Sequence, residues 1–182
     1  MVGPRGRRRR PTIPTRPESV GEGLEAVPFV LALGSNLGDR RGHLDAGLRY
    51  LSERLQIERV SSIVESEPWG PVSQPHYLNL VLRGHGAESP TGLLRIAQGA
   101  EAEAGRVRDL RYGPRTLDVD IVFFGDLVLE TPSLTIPHPR WEERPFVRDL
   151  LKEVADDLVD PRSGRSLGEL DELPAAEQEG ES

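Results

Sequence analysis

The residues with the most chemistry to offer sit together in Arg111–Ile121, R-Y-G-P-R-T-L-D-V-D-I. Asp118 and Asp120 fall inside Leu117–Phe124, a run of β-branched and apolar residues too short for a typical helix, which reads as a strand. Alternation along a strand turns Leu117, Val119 and Ile121 towards a core and puts both carboxylates on the other face, their Cα atoms about 6.5–7 Å apart. Like charges at that spacing repel, and a hard cation relieves the repulsion. Mg²⁺ favours carboxylate oxygen and keeps water and substrate phosphates as its remaining ligands. Aspartate is depleted in strands, so a pair within one strand points to a use. Just upstream, Arg106, Arg108, Arg111 and Arg115 supply permanent cations whose forked donors suit phosphate oxygens. Carboxylates for metal beside guanidiniums for phosphate are the parts that phosphoryl chemistry needs. Arginine provides 22 of the 23 basic side chains, so its abundance alone is no evidence of phosphate binding.

The flanking segments must position these groups. Pro28–Leu33 reads as a buried first strand, followed by a tight loop, G-S-N-L-G at Gly34–Gly38, and a helix capped by Asp39. Leu44, Leu48, Leu51 and Leu55 form one apolar stripe on that helix. The loop has amides to offer a phosphate, but it lacks the Gly-Lys-Ser/Thr ending of a P-loop, and a structural turn explains it equally well. Ile57–Val64 is a second strand, Glu65–His76 a long loop of the kind used as a lid, and Tyr77–Leu82 a third strand. Tyr77 and Asn79 share parity, which puts an aromatic ring beside an amide. Ser89 and Pro90 open a second helix that ends at Gly105, with Gln98 and Glu101 three apart on one exposed side. Val107–Pro114 is a second candidate lid. Gly125-Asp126 suits a hairpin turn into Leu127–Leu129, and Leu134–Ile136 follows. His138, between two prolines, is held rigidly, either to donate to a phosphate or to cap a turn. Arg144 and Phe146 lead into a helix over Val147–Val154. The order β-α-β-β-α-β, with an appended hairpin and a C-terminal helix, predicts an α+β, ferredoxin-like sandwich on an antiparallel sheet.

A chain of 182 residues fits one domain with a sizeable core, and no apolar run approaches the length that spans a bilayer. The absence of cysteine excludes disulfides and thiolate chemistry and suits a cytosolic protein. Residues 1–26 carry a net charge of +3, residues 162–182 carry −4, and the body between them carries −6. An acidic body argues against nucleic-acid binding. We read 1–26 as a disordered basic arm without a secretory apolar region, 27–161 as the folded domain, and 162–182 as a largely disordered acidic tail in which Leu167–Leu173 is a docking candidate.

The stretch around Asp118 resembles the signature of the 6-hydroxymethyl-7,8-dihydropterin pyrophosphokinases of folate synthesis. The resemblance extends to L-G-S-N-L-G at Leu33–Gly38, W-G-P at Trp69–Pro71, Q-P-x-Y-L-N at Gln74–Asn79, G-R-V-R at Gly105–Arg108 and P-H-P-R at Pro137–Arg140, in the family's order and approximate spacing. It implies a cytoplasmic, monomeric enzyme that moves pyrophosphate from ATP to the hydroxymethyl group of the pterin, giving the pterin diphosphate and AMP. Small molecules are its partners, with no nucleic acid and no membrane. Two Mg²⁺ ions per site would be held by Asp118 and Asp120. Arg106, Arg115, Asp118 and Asp120 fall at catalytic positions, and Gln98, Glu101, Arg108, Arg111, Leu134, His138 and Arg144 at ATP-binding ones. Ser66, Pro68, Trp69, Tyr77, Asn79, Asp118 and Phe146 fall at pterin-binding positions; ring stacking and an amide suit a flat heterocycle with an amide-like edge. Tyr112, Pro139 and Trp69 depart from the family's commonest residues without touching the charged groups. Two alternatives remain: another Mg²⁺-nucleotide enzyme on a ferredoxin-like sheet, which needs no pterin slot, and a non-catalytic RNA-binding module, which needs a basic face and stacked aromatics.

Overall fold

Apolar residues on both faces of Val27–Ser35 place this first strand, β1, in the middle of a sheet, with Phe29, Val30, Leu31 and Leu33 all buried. The structure is a computed structural model that describes residues 26–68, 73–105 and 115–171. After β1 come α1 (Arg40–Ser52), β2 (Gln56–Val60), β3 (Val64–Ser66), β4 (Tyr77–Gly86), α2 (Pro90–Glu103), β5 (Asp118–Phe124), β6 (Leu129–Glu130), β7 (Thr135–Ile136), α3 (Pro145–Val154) and α4 (Leu167–Asp171). The main sheet runs β2-β4-β1-β5, every pairing is antiparallel, and β3 also pairs with β4. With β2 and β3 taken as halves of one interrupted strand, this is the expected ferredoxin-like order.

The interruption has a local cause. Val81 N–H donates to Ser61 Oγ at 2.9 Å, and Ser62 gives both its N–H and its hydroxyl to the Glu153 carboxylate on α3, at 2.8 and 2.7 Å. Ser61 N–H still donates to Val81 O at 2.9 Å, but the return bond and those of Ser62 go to side chains, so the single strand expected at Ile57–Val64 is divided. β4 runs beyond the expected Leu82 to Gly86, and α3 begins at Pro145, so Phe146 lies in its first turn.

Both caps read from sequence are present: Gly42 N–H donates to Asp39 Oδ1 at 3.0 Å and Gly92 N–H to Ser89 Oγ at 3.1 Å. α1 and α2 pack on one face of the sheet, burying Leu44, Leu48, Leu51, Leu93 and Ala97 against Phe29, Leu31, Leu33 and Leu82. On the other face, Val147, Leu150, Leu151 and Val154 of α3 join Val30, Val81, Val122, Phe123 and Trp141; the Trp141 ring meets Phe123 edge-on at 5.0 Å. Leu167 of α4 belongs to this second cluster and is 3% exposed. One expected hairpin is corrected: β6 pairs with β7, whereas Gly125 (φ +50°) turns the chain off the sheet after its N–H reaches Pro28 O at 2.7 Å. Among the described residues no helix is long and apolar enough to cross a membrane. The basic arm over residues 1–25 and the end of the acidic tail lie outside the described residues.

Candidate active site

β1, β4 and β5 bring the predicted residues together by register. Gly34 of β1 stands opposite Asn79 on β4 and Asp118 on β5, and two residues back Ala32 stands opposite Val81 and Asp120. Alternation puts all of these on the face that α3 covers only in part. The uncovered portion is a cavity of about 470 Å³ lined by Gly34, Ser66, Tyr77, Asn79, Arg115, Asp118, Asp120, Arg144 and Phe146, among others.

Its floor depends on Gly34. A Cβ there would stand 3.2 Å from Asn79 Oδ1 and 3.3 Å from the Tyr77 ring, tight contacts that would press ring and amide away from β1. Asn79 is buried, and its amide nitrogen donates to Ser66 Oγ at 2.9 Å, which fixes the plane of its side chain. Phe146 enters from the first turn of α3.

The loop after β1 proves to be a tie rather than a bare turn. Asn36 is 1% exposed. Its side-chain Oδ1 accepts the Arg115 N–H at 2.8 Å, its backbone N–H donates to Arg115 O at 3.2 Å, and its Nδ2 donates to Gln74 Oε1 and Pro75 O, each at 3.2 Å. One side chain therefore secures the segments leading into β4 and β5. The motifs read from sequence include Asn36, Gln74 and Arg140 without giving them a role and omit Glu67; of these, Glu67, Gln74 and Arg140 line the cavity.

Cations flank the acid pair. Arg115 Nη1 donates to Asp118 Oδ1 at 2.7 Å. Burial works against the Arg115 charge, but attraction and the hydrogen bond from Asp118 outweigh it and hold the guanidinium above its ordinary value. Arg144 Nη1 lies 3.7 Å and His138 Nε2 3.8 Å from Asp120 Oδ2. Burial and then the neighbouring Asp118 charge push Asp120 up to about 7, against the pull of Arg144 and Arg115. Burial and then the Arg144 charge push His138 down to about 4. The Arg140 N–H points at His138 Nδ1 at 3.2 Å, so the neutral ring carries its hydrogen on Nε2, the nitrogen nearer Asp120.

The other expected residues divide three ways. His138 and the half-buried Leu134 flank β7 in the chain, and neither they nor Pro68 line the cavity. On α2, Gln98 is exposed as expected, but Glu101 is not: it is 5% exposed, and Val119 N–H donates to its Oε1 at 3.0 Å. That corrects the shared exposed side. The helix turns Glu101 inward because an amide of β5 needs an acceptor there. Trp69, Arg106, Arg108, Arg111 and Tyr112 lie outside the described residues. No cluster of three or more His, Asp or Glu side chains able to hold a metal occurs among the described residues.

Paired acids and guanidiniums lining one cavity, on a sheet of this order, fit a transferase that handles phosphate groups. The profile of the 7,8-dihydro-6-hydroxymethylpterin-pyrophosphokinase (HPPK) family matches residues 30–156, and the chain belongs to that family. Among its relatives, the 2-amino-4-hydroxy-6-hydroxymethyldihydropteridine pyrophosphokinase of Pseudomonas aeruginosa is 45% identical over 77% of this chain and 87% of its own. The Synechocystis enzyme of the same name is 41% identical over 78% of this chain and 73% of its own. Crystal structures of wild-type Plasmodium falciparum HPPK-DHPS share the fold: the form with pteroate has a TM-score of 0.65 at 13% identity, covering 82% of this chain and 44% of that longer one.

Proposed function

We propose that this protein transfers pyrophosphate from ATP to the hydroxymethyl group of 6-hydroxymethyl-7,8-dihydropterin, releasing the pterin diphosphate and AMP, with Mg²⁺ held by Asp118 and Asp120. The observation that carries this reading is that both carboxylates open into the cavity that holds the Tyr77, Asn79 and Phe146 slot. The acid pair fits a hard cation on its own chemistry: two carboxylates on one strand face, one lifted to about 7 in part by its neighbour, lose their repulsion when a cation binds. With Asp118 and Asp120 as the protein ligands, the remaining coordination positions would fall to water and phosphate oxygens, as Mg²⁺ prefers. When bound, Mg²⁺ would supply charge neutralisation along the triphosphate.

The chain's own residues then have distinct tasks. Tyr77 and Phe146 would stack the pterin ring, and Asn79, fixed by Ser66, would pair with its amide-like edge, helped by Pro68 and Trp69. The substrate hydroxyl oxygen bonds to the β-phosphorus and gives up its proton to water, as the bond from that phosphorus to the α–β bridging oxygen breaks and AMP leaves with that oxygen. Arg115 and Arg144, which face Asp118 and Asp120 in the ligand-free protein, are placed to turn to phosphate oxygens as charge redistributes. His138 would donate through Nε2 to a phosphate oxygen from the opposite side. Gln98 and Leu134 would bound the nucleotide, and Arg106, Arg108 and Arg111 would add charge from the preceding segment. Positioning and electrostatics carry the rate, without a general base. The protein would act as a cytoplasmic monomer on small molecules alone.

The test is turnover of Asp118→Ala and Asp120→Ala with ATP, Mg²⁺ and the pterin. Both should lose at least about 10²–10³ in rate with an unchanged fold; near-normal Mg²⁺-dependent turnover in either would overturn the assignment.

A further inference from the structure

β5 ends the sheet, so amides on its outer side have no neighbouring strand to bond. A buried amide left without an acceptor costs about as much as a lost hydrogen bond. Val119 stands between Asp118 and Asp120, is 5% exposed, and donates its N–H to Glu101 Oε1 at 3.0 Å. Glu101 reaches it from α2, is itself 5% exposed, and does not line the cavity. A bond from an amide to a carboxylate is charge-assisted and directional. It fixes the peptide plane that joins Asp118 to Val119, and with it the directions in which both flanking aspartates leave the strand. β1 holds the other side of β5, pairing Gly34 with Asp118 and Ala32 with Asp120. The acid pair is thus gripped from two sides, by a strand and by one buried side chain.

We propose that Glu101 is a positioning residue for the acid pair, acting through the Val119 backbone and touching neither nucleotide nor cation. The inference rests on the proposed pyrophosphate transfer and specifies how its acid pair is held. What this reading needs first is the reach of the Glu101 acceptor, because losing the charge weakens the bond to Val119 without moving the oxygen. Two conservative variants separate these properties. Glu101→Gln keeps an oxygen at the same reach and loses the charge. Glu101→Asp keeps the charge and withdraws the oxygen by about 1.5 Å, one methylene.

Each variant is compared with wild type in three ways: calorimetric affinity for a non-hydrolysable ATP analogue with Mg²⁺, the KM for pterin, and kcat. Thermal melting is followed alongside. Glu101→Gln should stay within about threefold of wild type, while Glu101→Asp loses about 10–100-fold in Mg²⁺-nucleotide affinity and kcat, the usual effect of disturbing a group that orients a metal ligand. The KM for pterin should hold in both, because the slot is built on β1, β4 and α3; a general structural defect would move it too. Glu101→Asp near wild type with Glu101→Gln impaired would mean that the charge itself acts on a ligand, which overturns the proposal. Two unaffected variants, or two equally impaired ones, overturn it as well. If wild type makes no pterin diphosphate, the functional reading fails, and the calorimetric comparison still decides the role of Glu101.

Discussion

Asp120 and His138, 3.8 Å apart, are shifted in opposite senses by the same burial. Asp120 is raised from 3.8 to about 7, so the folded chain holds a proton that the unfolded chain releases; this contribution to stability is full below about pH 4 and is lost as pH rises through 7. His138 is lowered from 6.5 to about 4, so the unfolded chain binds a proton that the folded one refuses; its contribution is present above pH 6.5 and is lost as pH falls through 4. The windows overlap and the slopes oppose, so the two effects nearly cancel in wild type. Asp120→Asn should expose the histidine: relative to wild type, its unfolding free energy should rise from pH 4.5 to 6.5 by up to about 1.4 kcal/mol per unit. His138→Gln should fall over the same interval. Urea unfolding of the ligand-free protein at the two pH values checks both, and slopes of the same sign would contradict the opposed shifts. The acid pair itself was legible in sequence, because alternation fixes which side chains share a strand face. The charge state of Asp120 was not, because it depends on burial and on Arg144 and Glu101, distant in the chain and near in space.

At the scale of elements, the features set by local chemistry could be read in advance: the Asp39 and Ser89 caps, the leucine stripe of α1, and the central place of β1. Those set by tertiary partners could not. The strand break at Ser61–Ile63 exists because α3 presents Glu153. Glu101 turns inward because β5 is an edge. On an alanine-rich helix, a spacing of three does not say which side the sheet will take. The hairpin expected at Gly125-Asp126 failed because Gly125 bonds back to Pro28 and carries the chain off the sheet. α4 bears on the domain boundary proposed at residue 161. Leu167 packs with Val30, Val122 and Trp141, and Leu167 N–H reaches Leu158 O at 3.3 Å. A chain ended after residue 161 should therefore lose about 2 kcal/mol or more, the value of burying one leucine, whereas one ended after residue 171 should unfold close to the full chain. Urea midpoints decide this; equal midpoints for the two truncations would show that α4 adds nothing.

At the scale of the molecule, the sheet does two jobs with its two faces. One is sealed by α1 and α2. The other is sealed by α3 for part of its length and left open over Gly34, Asn79, Asp118 and Asp120. An acidic body is a poor host for a polyanion, so cations must be local: Arg115, Arg140 and Arg144 line the same cavity. Transfer of a pyrophosphate unit, rather than a single phosphate, follows from where attack falls along the triphosphate, and the products record that position. Phosphorus NMR of ATP, Mg²⁺ and 6-hydroxymethyl-7,8-dihydropterin mixed with the protein reads it directly. AMP and a pterin diphosphate should appear in equal amounts; ADP or inorganic phosphate as the product, or unchanged ATP, would contradict the proposed transfer.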